Sequence, residues 1–354
     1  MLMRVALIGP YPMNVGGISM HLKRLSRLLK DECEFVYIDE GRSRFNNVFN
    51  LRSLNLFRYL SIVRKVDTVH INSGHYLLRI FNIIVCKLLL HKHTVVTVHR
   101  NPEAEPCLSI TRRLLNKCDH VIFVNKEAHD LLAGCDKSGR FVVRPAFLPP
   151  VLDEEPQLPA SVLQWIQDAR TKPNHCILVS NAWNLVMHQG EDLYGLDICI
   201  QAAIRLCKSE CTTQYFFIFV VASCTENTEM LNRYQKQIKD NGLDRNFLIW
   251  ISPLSFVKLL SCSDVMLRTT NTDGDAISVR EALFLRKKVI ASDVVDRPRG
   301  VILFKNRDVE SLTDAIKKSV GQDLLLTENE TTDYKSFYLS LYKSNNETTN
   351  AKTS

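Results

Sequence analysis

Apolar residues recur along this chain in two successive series of strands and helices. Between residues 4 and 144, short runs rich in β-branched residues alternate with stretches of helical period. The runs are Val5–Ile8, Phe35–Ile38, Thr68–Ile71, Thr94–Val98, Val121–Val124 and Phe141–Val143. The clearest helix places Ile18, Leu22, Leu25 and Leu29 at i, i+4, i+7 and i+11, one face of a 3.6-residue period. A second series follows, Ile177–Val179, Phe216–Val221, Phe247–Ile251, Val265–Leu267 and Val289–Ala291, with helical patterns at Leu196–Leu206 and Thr228–Asn241. Such alternation predicts parallel sheets covered by helices. Six of the twelve prolines fall between Pro145 and Pro173, around a short helical run from Ser161 to Arg170, and mark the boundary. The predicted fold class is therefore α/β, with Rossmann-like domains at 1–150 and 151–325. A helix within 326–344 and a polar, disordered tail at 345–354 complete the expected organisation. Two such sheets in series are expected to hold a ligand in a cleft between them, at the carboxyl ends of the strands.

Composition narrows the class without naming an activity. Apolar residues make up 45% and charged residues 23% of 354, an ordinary globular balance. No run approaches the ~18 apolar residues of a membrane span, and the start, MLMRVALIGPYP, lacks the pattern of a signal peptide. The eleven cysteines show no C-x-x-C pair and no histidine at zinc spacing, which points to reduced thiols in the cytosol. Charge is uneven: residues 1–150 carry 22 Lys+Arg against 12 Asp+Glu, a net of +10, and the remainder 23 against 26, a net of −3. A basic first half is expected to meet an anionic partner, a membrane surface or a phosphate-bearing acceptor rather than nucleic acid, for which no motif is present. The stretch Leu51–Lys65 has Leu56, Phe57, Leu60 and Val63 toward one face and Asn55, Arg58, Ser61 and Lys65 toward another. It reads either as a basic amphipathic helix for anionic lipid or as a helix packed on its own domain.

The chemistry concentrates in Asp264–Asp293, DVMLRTTNTDGDAISVREALFLRKKVIASD. The strand Val265–Leu267 runs into a polar turn, and a helix follows from Ala276 to Leu285, with Asp275 as its expected N-cap. A helix N-terminus offers free N–H groups and the positive end of a dipole, so it suits a phosphate. Asp273 and Glu281 lie eight positions apart across that anion site, placed to accept hydroxyls from the two ends of a sugar nucleotide. The string resembles the acid-x7-acid signature of the family 4 retaining glycosyltransferases of surface-polysaccharide assembly, which have a GT-B fold. The resemblance implies that Asp273 faces the donor sugar and Glu281 the ribose. It also implies that Gly274, Ala276, Ile277 and Ser278 hold the diphosphate. Where that family more often has Glu, this chain has Asp273.

Other segments extend the resemblance over nearly the whole chain. PYPMNVGGISMHLKRL, with Gly16 and Gly17 opening the first helix, resembles the family's N-terminal loop, which touches the donor diphosphate. His99, ending the strand TVVTVH, stands where the family often places a histidine beside the donor sugar and the acceptor. The final helix, Tyr334–Tyr342, would return to the first domain, the acceptor side, with the second binding the nucleotide sugar. One departure is plain. The family's Arg and Lys of the first strand–helix loop of the second domain are replaced in SNAWNLVMHQGEDLYGLD by Asn181 and Tyr194. Arg268 and Arg280 are the candidate substitute cations. Asp273-Gly274-Asp275 matches a metal-binding D-x-D by letter, but in the wrong setting, so no metal and no cofactor besides the nucleotide sugar is expected.

The implied activity is transfer of a sugar from a nucleoside-diphosphate sugar to a hydroxyl, with retention. The acceptor would be lipid-linked or an oligosaccharide, in O-antigen, lipopolysaccharide, capsule or exopolysaccharide assembly. The expected location is the cytosol, or the periphery of the inner face of the cytoplasmic membrane. The alternatives are a nucleotide-sugar epimerase of the same fold and a non-catalytic sugar-nucleotide-binding protein.

Overall fold

The computed structural model describes residues 2–13, 16–99, 107–133, 139–209, 212–223, 227–321 and 333–343. The expected tail at 345–354 lies outside the described residues. Contacts divide the chain into two compact units, residues 1–148 with 331–354, and residues 149–330.

In the first unit seven strands, β1 (Met3–Gly9), β2 (Cys33–Asp39), β3 (Phe49–Asn50), β4 (Thr68–Ile71), β5 (His93–Val98), β6 (His120–Phe123) and β7 (Phe141–Val143), form one sheet. Its order is β3-β2-β1-β4-β5-β6-β7, and every pairing is parallel. Helices α1 (Gly17–Leu28), α2 (Leu56–Arg64), α3 (Tyr76–Ile83), α4 (Leu108–Leu115) and α5 (Lys126–Ala133) connect them. The order reverses between β1 and β4, so their carboxyl ends splay apart into the crevice where α/β sheets bind ligands. Leu22, Leu25 and Leu29 of the predicted stripe are fully buried against Val5, Leu7 and Val95.

In the second unit six strands pair in parallel in the order β12-β11-β8-β13-β14-β15. They are β8 (His175–Ala182), β11 (Gln214–Val221), β12 (Phe247–Ile251), β13 (Val265–Arg268), β14 (Lys288–Ser292) and β15 (Val301–Phe304). A hairpin, β9 (Met187–His188) with β10 (Glu191–Asp192), follows β8. Helices α6 (Ala160–Arg170), α7 (Leu196–Lys208), α8 (Thr228–Asp240), α9 (Phe256–Ser261), α10 (Ile277–Phe284) and α11 (Val309–Gly321) cover both faces. Strands β8 and β11 bury nearly every side chain, as sheets covered on both faces must. Here the order reverses between β8 and β13.

The last helix, α12 (Tyr334–Tyr342), belongs to the first unit. The backbone carbonyl of Tyr342 accepts Thr68 Oγ1 (3.0 Å), and its hydroxyl bonds His70 Nδ1 (2.8 Å). Tyr338 and Tyr342 are almost wholly buried. In Tyr342 the ring supplies the burial and the hydroxyl finds its partner in His70, the arrangement a buried tyrosine requires.

Several elements add to or refine the sequence expectation. Of the apolar residues expected to share one face of α2, Val63 is buried together with Tyr59, whereas Leu56 and Phe57 are 51% and 91% exposed. The Tyr59 hydroxyl bonds Asn82 Oδ1 at 2.7 Å, which fixes the helix's rotation and turns its first apolar residues outward. The hairpin and β15 are additions. Gln189 and Gly190 both have left-handed φ, 53° and 82°, as a tight two-residue hairpin turn demands.

Candidate functional site

In the second unit the sequence-predicted residues converge at the switch point. Strand β13 ends at Arg268, and the loop to α10 follows. That loop is held against the hairpin: Asn271 N donates to Leu193 O (3.0 Å), Asn271 Nδ2 to His188 O (3.2 Å) and Thr269 Oγ1 to Tyr194 O (2.7 Å). Gly195 permits the approach, since a Cβ there would lie 2.2 Å from Thr269 O, and its φ of +71° is left-handed. Asp192 secures the hairpin's exit by accepting the backbone N–H groups of Tyr194, Gly195 and Leu196 and the Tyr234 hydroxyl.

Asp273 is the charged centre of the loop. Its carboxylate accepts Nε and Nη2 of Arg268 (2.8 Å each), Nη1 of Arg297 (2.8 Å) and Oγ1 of Thr270 (3.1 Å). Burial alone would raise this carboxyl, yet the hydrogen bonds and charges of the two arginines outweigh it and hold it at about 2. The acid is therefore ionised at neutral pH and fully engaged with protein. The Arg268 guanidinium also lies 5.8 Å from the Tyr194 ring centroid, so the arginine sits beside a position where a basic residue was expected. Arg297 was missed by sequence reading. The only signal was its place past the carboxyl end of β14, in the string DRPR.

Helix α10 begins after Ala276, and no side chain caps its first turn. Asp275 is not the N-cap. Its carboxylate pairs with Arg280 Nε at 2.6 Å, because Arg280 stands one turn along the helix and offers a charged donor where a cap would find only neutral N–H groups. Gly274, Ala276, Ile277 and Ser278 thus form an uncapped turn that directs backbone N–H groups outward. The space beside the Gly274 Cα is open. Glu281, one turn deeper on α10, is buried with Ser278, Val279 and Ala282. Both acids of the D-x-D letters are occupied by guanidinium groups. Among the described residues no group of three or more His, Cys, Asp or Glu is placed to hold a metal.

The first unit presents a second set of residues at its own switch point. Gly16 precedes α1 and Gly17 is its first residue. His99, just past β5, bonds Asn72 Oδ1 through Nε2 at 2.9 Å, and its ring stacks edge-on to His21, 5.4 Å away. Burial, reinforced by His21, His70 and Arg79, holds His99 well below the usual imidazole range. It is neutral at pH 7. On the same unit, Glu40 accepts Ser73 Oγ and Asn82 Nδ2 through Oε1, both at 2.7 Å. Burial pushes Glu40 up to about 7, against those hydrogen bonds. Neither Asn72 nor Glu40 was singled out from sequence, since their roles arise from strand ends that only topology brings together.

No protein-family model matches the sequence, and no curated protein does. Solved structures do. HepE from Anabaena in complex with UDP superimposes with a TM-score of 0.65 at 14% identity, covering 90% of each chain. A glycosyltransferase from Rickettsia africae gives 0.66 at 14%, covering 96% of each. Sucrose-phosphate synthase from Thermosynechococcus elongatus gives 0.56 at 13%, covering 96% of this chain and 92% of its own. The two parallel-sheet α/β units of this chain have the GT-B-type fold.

Proposed function

We propose that this chain is a retaining glycosyltransferase that moves a sugar from a nucleoside-diphosphate sugar to a hydroxyl acceptor. The observation that carries the reading is the uncapped first turn of α10, next to Arg268 and followed by buried Glu281, at the switch point of the second unit. That geometry suits a diphosphate on N–H groups with a ribose accepted by a carboxylate. The likeness to HepE, solved with UDP and with UDP-glucose, supports the same ligand class here. In the transfer the C1–phosphate oxygen bond breaks and a C1–acceptor oxygen bond forms on the same face. The acceptor's proton passes to an oxygen of the departing diphosphate. His99, neutral, would orient sugar and acceptor hydroxyls, and no metal would take part. Assembly of a surface polysaccharide on a lipid-linked or oligosaccharide acceptor is the setting we favour.

An anionic membrane surface fits the first unit. Leu54, Leu56 and Phe57 project into solvent, 81%, 51% and 91% exposed, among the exposed basic residues Arg52 and Arg58. Exposed apolar side chains among cations suit the interface of an anionic bilayer. No described helix is long and apolar enough to cross a membrane.

The test is a thermal-shift panel of nucleoside-diphosphate sugars, because a ligand that binds the folded state raises stability. A transfer assay follows, with the product's anomeric configuration read by NMR. At least one donor is expected to stabilise the protein and to give a retained product. No shift with any donor, or an inverted product, would refute the proposal.

A further inference from the structure

We propose that Asp273 is a positioning residue, which clamps Arg268 against Arg297 so that Arg268 presents a fixed guanidinium edge to a pyrophosphate group at the first turn of α10. This rests on the nucleotide-sugar reading above and changes the role of its first acid.

Three observations carry it. A carboxylate has about four acceptor sites, and Asp273 already receives four donors from Arg268, Arg297 and Thr270. A sugar hydroxyl would have to displace one of them. The arginines are unequal. Arg297 is anchored inward, its side chain 3% exposed, donating Nε to Ser292 O and Nη1 to Asp273. Arg268, 13% exposed, commits Nε and Nη2 to Asp273, and its Nη1 bonds no described residue. The fork of Arg268 is held on one side and open on the other. Charge then decides what it faces. Two guanidiniums share one carboxylate, and Asp275 is matched by Arg280, so among the described residues one positive charge is left over in a largely buried cluster. An uncompensated charge out of water is costly, and an anion removes that cost. Asp273 lies three residues before the N-cap Ala276, so the leftover charge and the helix's free N–H groups belong to one loop. A pyrophosphate, with two charged groups, can take both.

The experiment measures Kd for UDP, UMP and inorganic pyrophosphate by calorimetry, with the full chain at fixed ionic strength. The variants are Arg268→Gln, Asp273→Asn and Asp273→Glu. Arg268→Gln leaves Asp273 paired with Arg297, so it keeps the buried acid satisfied. Losing a charge-assisted hydrogen bond to phosphate should weaken UDP and pyrophosphate binding about ten- to a hundredfold and UMP less than about threefold. Asp273→Asn releases the fork and should do the same. Asp273→Glu restores a carboxylate and should bring UDP back to within about threefold of wild type. Unchanged UDP affinity in both Arg268→Gln and Asp273→Asn would overturn the clamp and return Asp273 to the sugar. An equal loss for UMP and UDP that tracks a fall in Tm would also overturn it, leaving the cluster a structural lock. Wild-type protein that binds pyrophosphate through Arg268 but no nucleotide would keep the anion site and remove the glycosyltransferase reading. Binding of none of the three would remove both.

Discussion

Replacing Glu40 by Gln should make the protein more stable at pH 8 and not at pH 4.5. Glu40 is 5% exposed, with Oε1 holding Ser73 and Asn82 and Oε2 bonded to no described residue. Its carboxyl is raised from an ordinary 4.5 to about 7 by burial. The folded state therefore binds this proton more tightly than the unfolded chain does. The resulting stability is complete below about pH 4.5, is lost as pH rises, and is gone above about 7. Each tenfold change in proton affinity is worth about 1.4 kcal/mol, so the whole window amounts to about 3 kcal/mol. Gln keeps the acceptor for Ser73 and Asn82 and has no proton to lose, so that loss should vanish. For a unit of this size, 1 kcal/mol moves Tm by about 2–4 °C. The variant's Tm minus that of wild type should rise by several degrees between pH 4.5 and pH 8, followed by calorimetry or circular dichroism at fixed salt. A difference that stays constant across that range would refute the assignment of a buried, proton-holding acid.

Glu281→Ala should weaken UDP binding by about 1–3 kcal/mol, as for a lost charge-assisted hydrogen bond; an unchanged Kd would remove Glu281 from the site. His99→Ala should lower kcat well beyond any change in UDP affinity, and full turnover would take it out of the chemistry. Gly195→Ala puts a methyl 2.2 Å from Thr269 O at φ +71° and should cost several kcal/mol, on the order of other strained or overpacked sites. A Tm equal to wild type would mean that the loop and hairpin do not meet as described. Leu54→Ser with Phe57→Ser should reduce co-sedimentation with anionic liposomes, and wild-type binding should fall with salt. Equal recovery on neutral and anionic vesicles would dismiss the membrane surface.

Both parallel sheets were legible because buried strands write themselves as apolar runs: each predicted strand lies within an observed one or overruns it by a single residue, as at Val124. What escaped was short or outward-facing. Phe49–Asn50 is too short to show a period, and Leu303, 54% exposed, breaks the burial of β15. On α2 the apolar letters split: Leu60 and Val63 pack on the domain with Tyr59, while Leu56 and Phe57 at its start stay exposed. In the site, the spacing of Asp273, the α10 turn and Glu281 was readable along one stretch of chain. Arg297 was not, since it reaches Asp273 across 24 residues. Nor was the partnership of His99 with Asn72, which depends on β4 and β5 lying side by side. A sequence reveals contacts that follow one element's period and hides those made where separate elements end.

Because α12 completes the first unit, the ribosome delivers the residues of that unit in two instalments, with all of residues 149–330 made in between. Until Tyr338 and Tyr342 emerge, His70 has no hydroxyl on its Nδ1, Thr68 has no carbonyl partner, and the apolar surface over Val5 and Leu22 lies open. A nascent first unit is therefore a natural client for chaperones during the synthesis of the second. Chains released before residue 334 should be cleared rather than accumulate, whatever the state of their second sheet.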